Sequence, residues 1–460
     1  MTGINLKMKE NKMENNKSSK YIKNIAKDFS LYVCSSRGIP NVPDGLKDVQ
    51  RKILWGLRTK SEKIKTNALI GHITEENLYV HGDAAGMDAV SHMAAPYCNN
   101  IPFIQGEGNF GSRVSPTGWA AGRYTYVKKN KITENLMYTD LNIVPLKDNY
   151  DGSTKEPVHF LPLIPLALLN GISGIAVGWS TEILPHSYKD LVQGCIDHLK
   201  GKKVKKLFPT YEYLDVKVDH IEDNSYYVSG KVEIKDTSTC IVSELSPYIT
   251  LEKFKENLNS MEDDNIIIGY TDNSTKNISI VIKFPRGFLK DKTPDNIIDI
   301  LKMKQKKTER IVVLDFEGDG IITYENPETL LKDFVQWRLT WFSKRYEKFI
   351  SDDSYELTYQ KGLKKCIQSK LSDRLATHKS KEEVKNDIIM TTVSTLDEKQ
   401  TERMMSIPMY KWTKDFIIEV NEKIKILEDK IKHNTDILND DNKLKQIYID
   451  DLENIKKLKV

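Results

Sequence analysis

Cysteine is scarce and scattered in this 460-residue chain: Cys34, Cys98, Cys195, Cys240 and Cys366 lie far apart, with no CxxC spacing. That excludes a zinc site of the usual pattern and suits thiols kept reduced in a cytoplasm. His72, His81, His92 and His159 form no HExxH or paired-ligand pattern either. Long apolar runs are missing: the longest, Phe160 to Leu169, is interrupted by prolines, so nothing reads as a membrane span. Residues 1–20, MTGINLKMKENKMENNKSSK, offer no apolar core for a signal peptide and read as a disordered polar leader. No GxxxxGK[ST] run occurs, which excludes a Walker-type ATP site. Excess charge is lacking as well. With 69 Lys+Arg against 65 Asp+Glu the net is +4, so any nucleic-acid site must come from local clustering.

What is present is enough apolar residue (39%) for real cores and enough charge (29%) for a water-facing surface. The length suggests about two to three domains. Ile22, Ile25, Ala26 and Phe29 fall at helical spacing until Arg37-Gly38-Ile39-Pro40 ends the helix. Asp44-Gly45 starts a second helix, with Val49, Ile53, Leu54 and Leu57 as its buried side and Lys47, Gln50, Arg51 and Lys52 opposite. Composition alone makes that second side a solvated face. A third helix follows His81-Gly82-Asp83, and short helices before a glycine-rich β region fit a winged-helix module. Asn170-Gly171 reads as a turn between two apolar runs. From Lys203 to about Glu325, β-rich pieces with one helix near Leu251 to Met261 form a separate α+β domain. Asp315 to Asp319 holds three carboxylates, but its shortness favours a solvated turn over a metal site.

At Asn326-Pro327-Glu328 a capped helix begins, carrying Leu331, Phe334, Trp337, Trp341 and Phe342. Ile417, Val420, Ile424, Leu427, Ile431 and Leu438 keep the 3/4 spacing of a coiled-coil seam. Two such helices can pair as an antiparallel arm. The apolar stretch Met404 to Trp412 would be its tip, with a dimer contact there.

The stretch Gly106 to Tyr126, GEGNFGSRVSPTGWAAGRYTY, carries the chemistry. Glycines allow tight backbone turns and close approach to a ligand, and Arg123 directly precedes Tyr124. A phenol with an ordinary pKa of about 10 is a poor nucleophile unless assisted. Arg123 is placed to meet the charge that builds on a phosphate under attack. An isolated Arg-Tyr pair is weak evidence, and most such pairs do no chemistry.

Five blocks change that weight. RGIPNVPDGLKDVQRKIL (Arg37 to Leu54), YVHGDAA (Tyr79 to Ala85), QGEGNFGS (Gln105 to Ser112), AAGRYTY (Ala120 to Tyr126) and NGISGIAVGWSTEILPHS (Asn170 to Ser187) resemble, in order and spacing, the breakage-reunion subunits of type IIA DNA topoisomerases. Gyrase A-type subunits are similar over the same span, and the length and the QGEGNFGSR run lean toward the phage branch. The resemblance implies an α+β multidomain fold: a winged-helix DNA-cleavage domain (21–157), an α+β tower domain (158–326), and a long antiparallel coiled-coil arm with a dimerisation gate (327–460).

It also implies roles. Tyr124 would form a 5′-phosphotyrosyl link to DNA and Arg123 would stabilise the transition state. His81 and Arg37 would assist at the scissile phosphate, Lys47 and Arg51 would hold DNA phosphates, and Ile175 would wedge between base pairs. Without its motif Ile175 would read as a core residue. Mg²⁺ and ATP would be held by an ATPase/Toprim partner subunit in a heterotetramer or larger complex acting on double-stranded DNA. The chain stops soon after the seam, which implies relaxation or decatenation rather than supercoiling. The setting would be the cytoplasm, that of the host for a phage protein, on the nucleoid. Gln50 and Tyr79 replace gyrase histidines, and Ala84 replaces the serine that helps bind quinolones while Asp88 keeps the acidic partner. A non-catalytic DNA-bending scaffold of the same fold is the alternative.

Overall fold

The computed structural model describes Tyr21, Ile25 and residues 29–375, 377–408, 412 and 414–458; the polar leader lies outside them. The chain divides into two compact units: Met1–Trp337 with Asp451–Val460, and Arg338–Asp450.

In the first unit a helical run at 29–33 (α1) passes into a π-helical turn, Cys34–Gly38. Ile25 and Phe29, at helical spacing, are exposed. Helix α2 (Asp48–Leu57) begins later than the Asp44-Gly45 signal implies. Lys47 is its N-cap, and its N–H donates to Gln50 Oε1 at 2.9 Å, satisfying a helix-end group. Ile53, Leu54 and Leu57 are buried, as their spacing requires. After the short strand β1 (Ile64–Lys65) comes α3 (Thr66–Glu75), a helix that periodicity did not announce, and then α4 (Asp83–Ala94). The three helices α2, α3 and α4 pack on one another.

Strands β2 (Ile104–Glu107) and β3 (Tyr126–Lys129) join β1 in an antiparallel sheet of order β1-β3-β2. The unit continues with α5 (Lys131–Met137), the hairpin of β4 (Leu146–Asp148) and β5 (Lys155–Pro157), and the one-turn α6 (Leu166–Leu169). Next comes a hairpin of β6 (Ile172–Ala176) and β7 (Trp179–Ile183). Its turn is Val177-Gly178, while Asn170-Gly171, with Gly171 at φ +65°, joins α6 to β6. The Asn170 amide exchanges two hydrogen bonds with the backbone of Ile101, at 2.9 and 2.8 Å. Helix α7 (Tyr188–Leu199) follows.

The α+β region holds β8 (Lys217–Glu222), β9 (Ser225–Ser229), β10 (Lys231–Ile234), β11 (Thr239–Glu244), α8 (Leu251–Asp263), β12 (Gly269–Asp272) and β13 (Ile280–Lys283). It ends with α9 (Pro294–Ile300), β14 (Lys304–Thr308), β15 (Ile311–Leu314) and β16 (Ile321–Tyr324). One sheet runs β10-β11-β13-β12 and another β14-β9-β8. Phe254, Leu258 and Met261 from α8 and Ile297 from α9 share a core with Val242, Ile280 and Ile282. Asp315 closes a turn between β15 and β16: its Oδ1 accepts the N–H groups of Gly318 and Asp319, at 2.6 and 3.1 Å.

Helix α10 (Pro327–Gln368) starts where its cap signal lies, with the Thr329 N–H donating to Asn326 Oδ1 at 2.9 Å. The second unit holds most of it, with α11 (Leu371–Leu375), α12 (Lys381–Thr392), α13 (Glu398–Met405), α14 (Lys414–Leu438) and most of α15 (Asp441–Lys456). Phe342 of α10 stacks on Tyr448 at 4.5 Å, while Lys361 further along pairs with Glu428 at 2.7 Å. The partner numbers fall as α10 rises, so these stretches are antiparallel. Val420, Ile424 and Met404 enter one core with Tyr359 and Leu363, and Met405, Ile407 and Trp412 pack against it. Met404 to Trp412 is therefore engaged within its own unit over its described residues; Met409, Tyr410 and Lys411 lie outside them. The exposed apolar side chains of this unit include Met390 and Val393, at the end of α12.

Candidate active site and nucleic-acid interface

Tyr124 stands two residues before β3, the central strand of its sheet, and its ring is 66% exposed. The loop that carries it is pinned to the start of α3. The Thr66 N–H donates to the Thr125 carbonyl at 3.1 Å, the two threonine hydroxyls meet at 2.7 Å, and the Asn67 N–H reaches the Gly122 carbonyl at 3.4 Å. Gly122 is also pressed on α4, where a β-carbon would lie 2.4 Å from Met87 Sδ. Small residues before the tyrosine thus let its backbone seat against two helices. The Arg123 guanidinium sits over the Tyr124 ring, 4.8 Å from its centroid, so cation and phenol face the same solvent volume.

The glycine loop upstream packs on protein. Gly108, with φ +118°, lies against Thr125, and Gly106 lies under the Phe110 ring. His81 is exposed immediately ahead of α4. Its ring meets the edge of Tyr79 at 5.7 Å, and the Tyr79 hydroxyl donates to the Gly82 carbonyl at 3.3 Å. Burial, then the Asp83 charge, raises the pKa of Tyr79, leaving it a neutral prop. Both His81 and the Tyr124 loop therefore flank the N-terminal half of α4.

The β6–β7 hairpin forms a second cluster. Ile175 is 86% exposed near its tip, beside the partly exposed Val177 and Trp179. An isoleucine so bare is not a core residue. Arg37 is exposed in the π-helical turn, and Gly38 and Gly174 bring that turn into backbone contact with β6. The Lys47 ammonium donates to the Ser173 carbonyl at 2.8 Å, and burial lowers its pKa. Lys47, Arg37 and Ile175 are thereby tied to one hairpin.

Arg51 is placed differently. It is buried, with Nε and Nη2 on the Asp44 carboxylate at 2.7 and 2.9 Å and Nη2 on the Leu46 carbonyl at 3.0 Å. Burial alone would lower its pKa; the Asp44 charge and hydrogen bonds outweigh that and raise it. Asp44 in turn accepts the Phe160 N–H at 3.0 Å. Arg51 is thus turned inward, onto Asp44 and the Leu46 carbonyl.

A family model that describes the A-type subunits of DNA gyrase and topoisomerase IV matches residues 37–453. The chain belongs to that family. It is 28% identical over 451 residues to the DNA topoisomerase medium subunit of Enterobacteria phage T4, covering 95% of this chain and 98% of that one. It is 29% identical over 342 residues to DNA topoisomerase 2-alpha of Gallus gallus, covering 71% of this chain but 22% of the relative. Its fold matches the DNA-binding, cleavage and re-ligation domain of Plasmodium falciparum topoisomerase II with a TM-score of 0.81 at 23% identity, over 92% of this chain and 62% of that one.

Apart from the residues given roles by the motifs, the structure reveals supports that sequence reading passes over. Asn100, buried, donates through Nδ2 to the carbonyls of Leu169, His186 and Thr210 and accepts the Glu212 N–H. His186 and Glu309, both buried, meet at 3.1 Å, and Glu309 also accepts the Leu184 N–H at 2.9 Å at the hairpin's foot. An isolated Asn, His or Glu gives no sequence signal of such a hub. Among the described residues no three His, Cys, Asp or Glu side chains group as a metal cage, and no helix is long and apolar enough to cross a membrane.

Proposed function

We propose that this chain is the DNA-cleaving and religating subunit of an ATP-dependent type IIA topoisomerase. The observation that carries the reading is an exposed Tyr124 beside Arg123 on a loop held by α3 and α4. In this reading the helices α2, α3 and α4 with the β1-β3-β2 sheet are the winged-helix module (21–157), residues 158–326 are the tower, and 327–460 form the coiled-coil arm.

The Tyr124 oxygen loses its proton and attacks a backbone phosphorus, the bond to the 3′ oxygen breaks, and that oxygen takes up a proton and leaves as a 3′ hydroxyl, so no proton is gained or lost overall. The 5′ phosphate stays on the tyrosine as a phosphodiester, so the reverse attack reseals the strand without net hydrolysis. Arg123 faces the non-bridging oxygens, where negative charge grows in the transition state. His81 and Arg37 bind the phosphates around the break, Lys47 holds the backbone nearby, and Ile175 enters a base step to bend the duplex. Arg51 fixes Asp44 and the start of α2. Among the described residues, this chain's own side chains do not form a metal cage; Mg²⁺, held by an ATPase/Toprim partner, would relieve charge at the leaving oxygen when bound. ATP belongs to the same partner, and the expected net outcome is relaxation or decatenation.

Two copies of the chain join through the second unit, and we place the contact at the α12–α13 turn. Val393 there holds φ +57°, a strained choice for a β-branched residue, and is 73% exposed beside the 76% exposed Met390.

The test mixes the chain with its ATPase/Toprim partner, duplex DNA and Mg²⁺, quenches with detergent, and looks for protein joined to 5′ ends. The adduct is expected to vanish in Tyr124→Phe and persist in Tyr126→Phe. Wild-type protein that binds DNA yet yields no adduct would indicate the scaffold reading instead.

A further inference from the structure

Helix α7 ends at Leu199 with Lys200 as its C-cap, and after Gly201 the chain returns in an extended run, KKVKKLFPT, beside it. Val204, Leu207 and Pro209 are the buried anchors of this run. Val204 faces Gly194 of α7, and the Leu207 N–H is held by the Glu328 carboxylate. At its far end the Thr210 N–H donates to the Pro185 carbonyl at 2.7 Å, and Pro209 bridges His186, at the foot of the β6–β7 hairpin. Lys200, Lys202, Lys203, Lys205 and Lys206 all remain exposed along this run.

Their density sets them apart: five lysines fall within seven residues. In the adjoining α+β region paired and unpaired lysines are interspersed: Lys217 pairs with Asp219, Lys231 with Asp215, Lys304 with Asp299, Lys306 with Glu222 and Lys307 with Glu182. None of the five lysines from 200 to 206 forms an ion pair with a described carboxylate. Lys206 instead leans over the exposed Phe208 ring, 5.4 Å from its centroid, and reaches His220 Nε2 at 3.3 Å. The two acids closest in the local hydrogen-bond pattern are engaged already, Asp197 by Gln193 and Glu328 by Leu207. In a chain with a net charge of only +4, five clustered cations with no described carboxylate partner make a local strip of positive potential.

We infer that the 200–206 lysine row is a second contact for duplex DNA, gripping the phosphate backbone outside the cleavage cluster. This rests on the reading of the chain as a DNA-handling subunit. DNA is favoured over an acidic protein segment because the row is apolar on its exposed side only at Phe208, and it ends at the foot of the hairpin that presents Ile175. From Lys200 to Lys206 the row can reach at most about 20 Å, at roughly 3.3 Å per residue, and so pass several phosphates. Two geometries would bring a duplex to the row, and the test separates them: the outer arm of the duplex bent at Ile175, or a second duplex in transit.

The experiment measures binding of the full chain to a short duplex and to one about three times longer, over a range of salt. It compares wild type with Lys202→Gln/Lys203→Gln/Lys205→Gln/Lys206→Gln, and checks by circular dichroism that the variant is folded. Each lost phosphate contact should flatten the log–log salt dependence by about 0.9. A flattening by about 1.8 to 3.6, for two to four lost contacts, with at least tenfold weaker binding at low salt, is expected. If the row grips the bent duplex, the change appears only with the longer DNA. If it grips a second duplex, a weaker second binding phase disappears at both lengths. Unchanged slopes and phases at both lengths would overturn the inference and leave the row to an acidic protein partner. A wild type that binds no duplex would instead overturn the functional reading itself.

Discussion

Gly174 and Gly38 meet backbone to backbone: a β-carbon on Gly174 would lie 1.9 Å from the Gly38 carbonyl oxygen. Backbone cannot swing aside as a flexible side chain can, so Gly174→Ala must push β6 off the π-helical turn. A loss of about 1–3 kcal/mol is expected, typical of overpacking. The larger effect should fall on function, because the shift separates Arg37 from the hairpin bearing Ile175. A melt that drops slightly while DNA bending, read by fluorescence transfer between duplex ends, is lost would show this coupling. Unchanged bending would show that the hairpin acts independently of Arg37.

Arg51 and Asp44 make a different prediction from the one that motif matching suggests. If Arg51 held phosphate, Arg51→Ala would leave a stable protein with weaker DNA binding. Buried against Asp44, it should instead leave an uncompensated carboxylate, destabilising by about 3–5 kcal/mol. Denaturant unfolding of the first unit's signal checks the size. Arg51→Met combined with Asp44→Asn should recover much of that loss, since the unpaired charge is then gone.

The contrast shows where sequence reading reaches its limit. Order and spacing of motifs single out Tyr124 and Arg123 as candidates, and the capped start of α10 is legible too, because each depends on local residue types; the β6–β7 hairpin, turning at Val177-Gly178, does not follow from the two apolar runs. Ile175 is legible only through its motif, since hydrophobicity alone sends an isoleucine inward. Arg51 is misplaced because a basic residue on a helix face looks solvent-exposed until the fold brings Asp44 and the Phe160 backbone over it. Helix α3 escapes because TNALIGHITE contains glycine and β-branched residues, and it is packing between α2 and α4 that sustains it. The lysine row carries no motif. What separates it from an ordinary solvated run is five exposed lysines in seven residues with no ion pair to a described carboxylate, on a stretch anchored to α7 and the hairpin's foot, which is a property of three dimensions.

Asp387 in the second unit ties its stability to acid. Hydrogen bonds from Arg374, at 2.9 Å to each carboxylate oxygen, and from His378 hold its pKa down at about 2. An unfolded aspartate titrates near 3.9, roughly, so the folded form binds its proton less readily. The stabilisation is therefore complete above about pH 4 and fades as pH falls toward about 2. Thermal melts of wild type and Asp387→Asn should differ near neutral pH and converge at the acid end. A difference that persists unchanged at low pH would mean that packing, not charge, is what the substitution removes.

Arg123 distinguishes transition-state stabilisation from simple DNA holding. Cleavage and religation pass through the same transition state, so removing charge that acts only there slows both directions alike. Arg123→Gln should cut the rate of adduct formation by about 10²–10³-fold, as loss of one well-placed donor does. The fraction of DNA cleaved at equilibrium should stay close to the wild-type value. Duplex affinity should also change little, because the guanidinium rests over Tyr124 and not in the lysine row. Rapid-quench measurement of adduct against time, with religation followed after a chelator or salt jump, gives both rates. If the rates hold while affinity falls and the salt slope flattens by about 0.9, Arg123 is a phosphate anchor and the electrophilic assistance comes from elsewhere.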